Sequence, residues 1–544
     1  MNNTIFSFES PQNEPVLQYE EGSRERKEII AELKLLSNKQ IEIPLIIGGK
    51  EIRTGKTARV LMPHNHAKTL AIYYQATEKE VQQAIDEALK AKSKWENLSW
   101  IERSSIMLRA ADLVATKYRS LIVASTMLGQ DKNLFQAEID AACEIVDYLK
   151  YNVHFASQIY SEQPKSEKGQ LNRMEYRPLE GFIFTVSPFN FTGIASNLNM
   201  SVALMGNTTV WKPATTSLLS SYYLMKIFQE AGLPDGVINF VPGSGSLIGG
   251  VVLKHKDLAG VHFTGSTETF NSLWRGVSEN LTNYVSYPKL VGETGGKDFI
   301  FVHNSANPIQ VATAIVRGAF EYQGQKCSAA SRSYIPKSLW DDIKQHILTQ
   351  TSRIKIGDVA DFDNFMNAVI DESSYDKIMN YIELAVKSDV CEIITGGTGD
   401  KSVGYFIQPT VILTTNPDFV TMKEEIFGPV MTVFVYEDQN YEDTLSICNT
   451  TSAYALTGAI FSNDKYATMQ ACDTLRYAAG NFYINDKPSG AMVGLQPFGG
   501  SRASGTNDKS GSKLNLLRWV SPRTIKETFI PAEDFKYPYM DKNI

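Results

Sequence analysis

The sequence predicts an α/β protein built on doubly wound, mostly parallel sheets, and three observations carry that expectation. Between 181 and 264, short apolar runs alternate with helical stretches at the spacing of strand–helix–strand units. A second alternating stretch runs from about 298 to 480. Ahead of both, two capping boxes, Thr77 with Glu80 and Ser99 with Glu102, open amphipathic helices.

Residues 1–40 begin polar and charged, turn helical over 24–36, and read as an arm on the main body. From 45 to 75 the runs are short and strand-like, with Gly48, Gly49 and Lys50 as a turn. After the first capping box, Val81, Ala84, Ile85, Ala88 and Leu89 share a face; after the second, Ile106, Leu108, Ala111 and Leu113 follow. Helical texture continues through Leu149. Residues 181–186 read as a buried strand, followed by a helix to 205, a strand at 208–211 and a helix at 217–231. A strand at 237–241, a helix at 246–254 and a strand at 260–264 complete the set. Such sheets bind ligands at the carboxyl ends of their strands. Beyond 505 the tail mixes turn residues with Trp519, Phe529, Tyr537 and Tyr539, as an extended segment packed on another surface would.

The chain has 544 residues, 43% of them hydrophobic, enough for two or three domains with a core that needs no disulfides. A net charge of −7 argues against a nucleic-acid partner. Five cysteines without a C-x-x-C pair fit free thiols in a reducing compartment. His64 and His66 have no ligand cluster around them, so no metal site is read. Residues 1–18 carry Glu9 and Glu14 and no apolar run, unlike a secretory signal or an Arg-rich transit peptide. No stretch approaches the ~20 apolar residues of a membrane helix. The expectation is a cytoplasmic protein with no membrane and no nucleic-acid partner.

Several segments place reactive groups beside turns. Cys327 follows Gly324 and Lys326 and precedes Ser328, Ala329 and Ala330, small residues that leave room for a substrate to approach the sulfur. A lone cysteine is more often a buried structural side chain, the reading given to Cys143, Cys391, Cys448 and Cys472. Glu293 sits in a glycine-rich turn, where a carboxylate can reach a site and activate water; alone it reads as a solvated loop acid. Asn190 follows a strand and Pro188, which puts an amide donor at a sheet edge, or simply a turn residue. Gly265 and Ser266 join a strand to a helix start suited to a pyrophosphate, without a G-x-G-x-x-G fingerprint. Lys212 ends a strand, where it suits ribose hydroxyls or a phosphate, or lies at the surface.

Together these segments resemble the aldehyde dehydrogenase superfamily over about residues 40–530. The resemblance rests on Pro188 to Phe191, Trp211 to Pro213, Phe263 to Ser266, Gly292 to Lys297, Gly324 to Cys327, Glu424 to Val430, and the interval from Glu293 to Cys327. It implies an aldehyde dehydrogenase-like α/β fold, with two doubly wound domains and a small β oligomerisation flap. The implied boundaries are an N-terminal arm at 1–40, an NAD-binding domain at 41–160 and 179–290, and a catalytic domain at 291–500. Residues 161–178 and 501–544 are the oligomerisation segments, the first as a hairpin, of a homodimer or higher homo-oligomer. By the same resemblance, Cys327 attacks the aldehyde, Asn190 and the Cys327 N–H hold the oxyanion, and Glu293 activates the water that hydrolyses the thioester. Lys212 and Glu425 hold the riboses of NAD, Phe427 packs near the nicotinamide, Gly265 and Ser266 face the pyrophosphate, and Ser187 is a further cofactor contact.

Segments at 320–329, 480–487, 496–509 and 525–528 resemble the 1-pyrroline-5-carboxylate dehydrogenase branch, which oxidises L-glutamate γ-semialdehyde to glutamate in proline degradation. That resemblance implies a carboxylate nest at Ser328, Gly490 and Ala491, Phe191 and Phe498 sandwiching the aliphatic chain, and Glu144 near the ammonium group. Ala491 replaces a serine of some relatives, and Thr215 stands where many superfamily members carry the glutamate that repels a 2′-phosphate. No proline dehydrogenase domain precedes the match, so a monofunctional protein is expected. The alternatives are another NAD(P)-dependent semialdehyde dehydrogenase, an acylating or reductive relative, and a non-catalytic scaffold. Retention of Glu293 argues against the second, and the full set of reactive residues against the third.

Overall fold

The computed structural model describes residues 8–540; residues 1–7 of the arm and 541–544 of the tail lie outside the described residues. Two seven-stranded sheets dominate. The first runs, edge to edge, Lys289–Glu293, Leu258–Thr264, Phe182–Val186, Thr209–Lys212, Ile238–Phe240, Leu45–Ile47 and Lys50–Ile52. Its first five strands are parallel, and the last two close the edge antiparallel. The interior strands are buried over nearly their whole length, as a sheet with helices on both faces requires. The chain leaves Phe182–Val186 toward one edge and Leu258–Thr264 toward the other, so the topological switch point lies between these two strands.

The second sheet runs Cys391–Thr395, Thr410–Thr414, Val430–Tyr436, Ala330–Pro336, Asp298–Val302, Thr457–Phe461 and Asn481–Ile484. Only the Cys391–Thr395 edge is antiparallel. Residues 294–297 alone carry the chain from one sheet into the other.

Local chemistry explains the helix starts. Both capping boxes form: Glu80 accepts from the Thr77 N–H at 3.0 Å and Glu102 from the Ser99 N–H at 2.8 Å. The helix Arg24–Ser37 begins on a Ser23 cap, and residues 13–19 tie into the body: Asn13 and Glu14 bond Asp147, and Tyr19 bonds Glu138. The continuous helix expected toward Leu149 is interrupted by a π-helical turn, Glu138–Glu144, between Leu134–Ala137 and Ile145–Ser161. Its buried Asp140 accepts from Lys132 and from the N–H groups of Thr192 and Gly193, bonds that hold the wider turn.

The hairpin expected at 161–178 does not form. Only Gln170–Pro178 is a strand, and it pairs antiparallel with Val520–Thr528 of the tail. Both strands are exposed on alternate residues or more, so each had too little apolar signal to reveal its partner. In the tail, Trp519 is a core residue against His262, whereas Phe529, Tyr537 and Tyr539 are exposed. No described helix is long and apolar enough to cross a membrane.

Candidate active site

The switch point of the first sheet collects the residues assigned to the cofactor. Ser187 follows Val186, is buried, accepts from the Trp211 indole N–H at 2.9 Å and bonds the Lys212 carbonyl through its own N–H. Lys212 ends the neighbouring strand beside Gly245, with no carboxylate within 4 Å among the described residues; burial lowers its pKa. Across the switch, Gly265 donates its N–H to the Glu293 carbonyl at 3.2 Å, and Ser266 caps the helix Thr267–Glu279. A cation without an anion beside a helix N-terminus is a donor set that fits a diphosphate.

The candidate nucleophile comes from the other sheet. Cys327 lies just before Ala330–Pro336, at that sheet's amino edge, after a run of left-handed backbone at Tyr322, Gln323 and Gly324 (φ 50°, 54° and 67°). Gln323 pins this run by donating to the carbonyls of Asp131 and Ala368, each at 2.8 Å. A side chain on Gly324 would stand 2.2 Å from the Gly428 carbonyl oxygen. The Cys327 thiol, 8% exposed, donates to Glu293 Oε1 at 3.4 Å. Burial, then the neighbouring Glu293, raise the thiol well above its ordinary range. Burial raises Glu293 to about 7, opposed by the thiol hydrogen bond and by Lys509. Asn190 donates one amide hydrogen to the Gln325 carbonyl at 3.1 Å, beside the nucleophile, and keeps a second.

Glu425 accepts from the Gly296 N–H at 2.9 Å, and burial raises its carboxyl. A side chain on Gly295 would meet its Oε2 at 2.3 Å, so the glycine pair lets this acid lie against the link between the sheets. Phe427 holds a left-handed φ of 62° and meets Phe189 edge-on at 5.7 Å. Strain of this kind concentrates at functional sites.

At the far end, Ser328 is buried next to the nucleophile, and Gly490 (φ 93°) and Ala491 lie in the loop after Lys487. Glu321 bonds both Lys326, at 3.2 Å, and Lys487, at 3.4 Å, which ties that loop to the nucleophile loop. Phe498 lines one cavity with Glu293, Lys509 and Ser510. Phe191 packs beneath the Lys132 ammonium, 3.9 Å from its ring centre. Glu144 lies against Gly193, within two residues of Phe191, and burial with Asp140 raises its carboxyl well above the ordinary range.

Sequence reasoning missed three cations here, Lys132 and Lys326 buried and Lys509 half-buried. Lys132 pairs with Asp140 at 2.7 Å and faces the rings of Phe191 and Tyr322. Lys509 donates to the carbonyls of Gly480 and Gly499 and lowers Glu293. Lys326 is held by Glu321. Lys326 and Lys509 stood in the quoted segments without a role, and no sequence signal marks Lys132.

The aldehyde dehydrogenase family model matches residues 51–525. A mitochondrial delta-1-pyrroline-5-carboxylate dehydrogenase of Dictyostelium discoideum is 52% identical over 98% of this chain and 96% of its own length. The human mitochondrial counterpart is 46% identical, covering 97% of this chain and 94% of its own. The Mycobacterium tuberculosis delta-pyrroline-5-carboxylate dehydrogenase bound with NAD superposes with a TM-score of 0.96 at 48% identity, covering 99% of this chain and 100% of that one. The expectation of a cytoplasmic location is overturned, because these eukaryotic relatives are named mitochondrial. That expectation rested on the polarity of residues 1–18, where the Asn13 side chain bonds Asp147 and the Glu14 carboxylate pairs with Arg119 and Lys150. By this match the chain belongs to the aldehyde dehydrogenase family, in its delta-1-pyrroline-5-carboxylate dehydrogenase branch.

Proposed function

We propose that the chain oxidises L-glutamate γ-semialdehyde, the open form of 1-pyrroline-5-carboxylate, to L-glutamate with NAD, the second step of proline degradation. The observation that carries this reading is the Cys327 thiol 3.4 Å from Glu293, in a chain whose relatives bear that name. Glu293 takes the thiol proton as Cys327 attacks the aldehyde carbon. The free Asn190 N–H and the Cys327 N–H hold the oxyanion of the thiohemiacetal. When bound, NAD supplies the acceptor for the hydride that this carbon must lose. Lys212, Gly265, Ser266 and Ser187 position its diphosphate and one ribose, Glu425 the other ribose, and Phe427 the nicotinamide side. Once the proton taken from the thiol has passed to solvent, Glu293 activates the water that hydrolyses the thioester.

Ser328 and the backbone of Gly490 and Ala491 receive the α-carboxylate, Phe191 and Phe498 enclose the methylenes, and Glu144 faces the ammonium. In this reading 41–160 and 179–290 form the NAD-binding domain and 291–500 the catalytic domain. A second copy of the chain covers the ribbon of Gln170–Pro178 with Val520–Thr528 and the exposed Phe529, Ile530 and Phe535, giving a homodimer or higher homo-oligomer.

The test is NADH formation by the purified protein with pyrroline-5-carboxylate, which Cys327→Ala should abolish. Equal or faster turnover of succinate semialdehyde or simple alkanals would overturn the substrate assignment. An acyl phosphate or acyl-CoA product would overturn the hydrolytic step.

A further inference from the structure

Gly296 lies in the link between the sheets, where a side chain has no room. A Cβ there would stand 2.1 Å from the Cys327 carbonyl oxygen and 2.3 Å from Asp298 Oδ2. These two oxygens therefore both border the space that the missing side chain leaves. Asp298 Oδ2 is buried without a hydrogen-bond partner, while Oδ1 accepts from the Thr457 N–H at 2.6 Å. Among the described residues no N–H or O–H is donated to the Cys327 carbonyl, which belongs to no helix or strand. Two acceptor oxygens bordering one space away from water repel unless one carries a proton.

Burial favours that proton most, and of the neighbouring charges Glu425 adds to it while Arg332 opposes it. Glu425 is an acid lying against the same link. Arg332 spends its guanidinium on the Lys297 and Cys448 carbonyls and the Tyr334 hydroxyl. Lys297 Nζ makes no hydrogen bond and no ion pair with Asp298. Burial holds the Asp298 carboxyl well above the ordinary carboxylate range.

We propose that Asp298 is a positioning residue for the nucleophile: as a carboxylic acid it donates Oδ2–H to the Cys327 carbonyl while Oδ1 accepts from Thr457. This bond fixes the Cys327–Ser328 peptide, and with it the direction of the sulfur toward Glu293 and of the Ser328 N–H toward the substrate. No proton moves during turnover. The inference rests on Cys327 being the nucleophile of the proposed reaction.

The full-length enzyme tests it with Asp298→Asn, which keeps an acceptor for Thr457 and a donor for Cys327, and Asp298→Leu, which removes both. We expect the Asn variant within about threefold of the parent kcat/KM with an unshifted pH profile, and the Leu variant to lose about 100-fold in kcat at an unchanged KM for NAD. Infrared difference spectra, parent minus Asp298→Asn at about pH 8, should show the carbonyl stretch of a protonated acid. A folded Asn variant as impaired as the Leu variant, a Leu variant as active as the parent, or ionised carboxylate bands in the spectrum would each overturn the proposal. Should the Leu variant fail to fold, the Asn variant and the spectrum decide. The spectrum needs no turnover, so a parent enzyme inactive on pyrroline-5-carboxylate would count against the reaction and not against the Asp298 bond.

Discussion

A thiol that donates to a carboxylate titrating near neutrality carries its own base. Glu293 serves in its ionised form, so turnover should fall as pH drops through about 7, measured as kcat across pH 5.5–9. Glu293→Gln should remove that inflection and slow turnover about 10²–10⁴-fold. The same residue bears on stability. Its folded pKa is raised, so its favourable contribution is complete below its unfolded value and is lost as pH rises through about 7. At pH 8 Glu293→Gln should therefore be more stable than the parent by about 3 kcal/mol, with the difference closing below about pH 4.5 in urea titrations. Cys327, Glu293 and Asn190 were legible because each sits in a distinctive local string. Lys132 and Asp298 were not, because what they do depends on Phe191, Tyr322, Thr457 and the Cys327 carbonyl, all remote in sequence.

At the scale of elements, the turn before Cys327 is held in an unfavourable shape by its surroundings. Gly324→Ala would place a methyl 2.2 Å from the Gly428 carbonyl oxygen on a residue whose φ is 67°. The expected cost is about 1–3 kcal/mol in the urea midpoint, with slower alkylation of the Cys327 thiol by iodoacetamide. Helix starts were readable because a capping box is written within four residues, as at Thr77 and Ser99. The π-helical turn Glu138–Glu144 was not, since Lys132, Thr192 and Gly193 hold it from other segments. For the same reason the Gln170–Pro178 strand was mistaken for half of a local hairpin when its partner is Val520–Thr528.

Across the whole molecule, alternating strands and helices announced both sheets, but the sequence had no means of showing where they meet. In the proposed reading ligands sit at the carboxyl ends of the first sheet's strands, with Ser187, Gly265 and Ser266 at its switch point. The proposed nucleophile instead arrives from the amino edge of the second sheet. The tail ribbon makes a further prediction. A chain ending at Trp519 keeps that core residue, loses Val520–Thr528 and leaves Gln170–Pro178 unpaired. Sedimentation should show smaller assemblies than the full chain forms, with far-ultraviolet circular dichroism nearly unchanged.

The short link at 294–297 also has a bearing on biosynthesis. A nascent chain that has emerged only as far as Glu293 displays that carboxylate without Cys327, and the pair forms only when the second sheet closes on the first. Pairing of the thiol with its base is therefore completed late, and a chain terminated before Cys327 lacks it altogether.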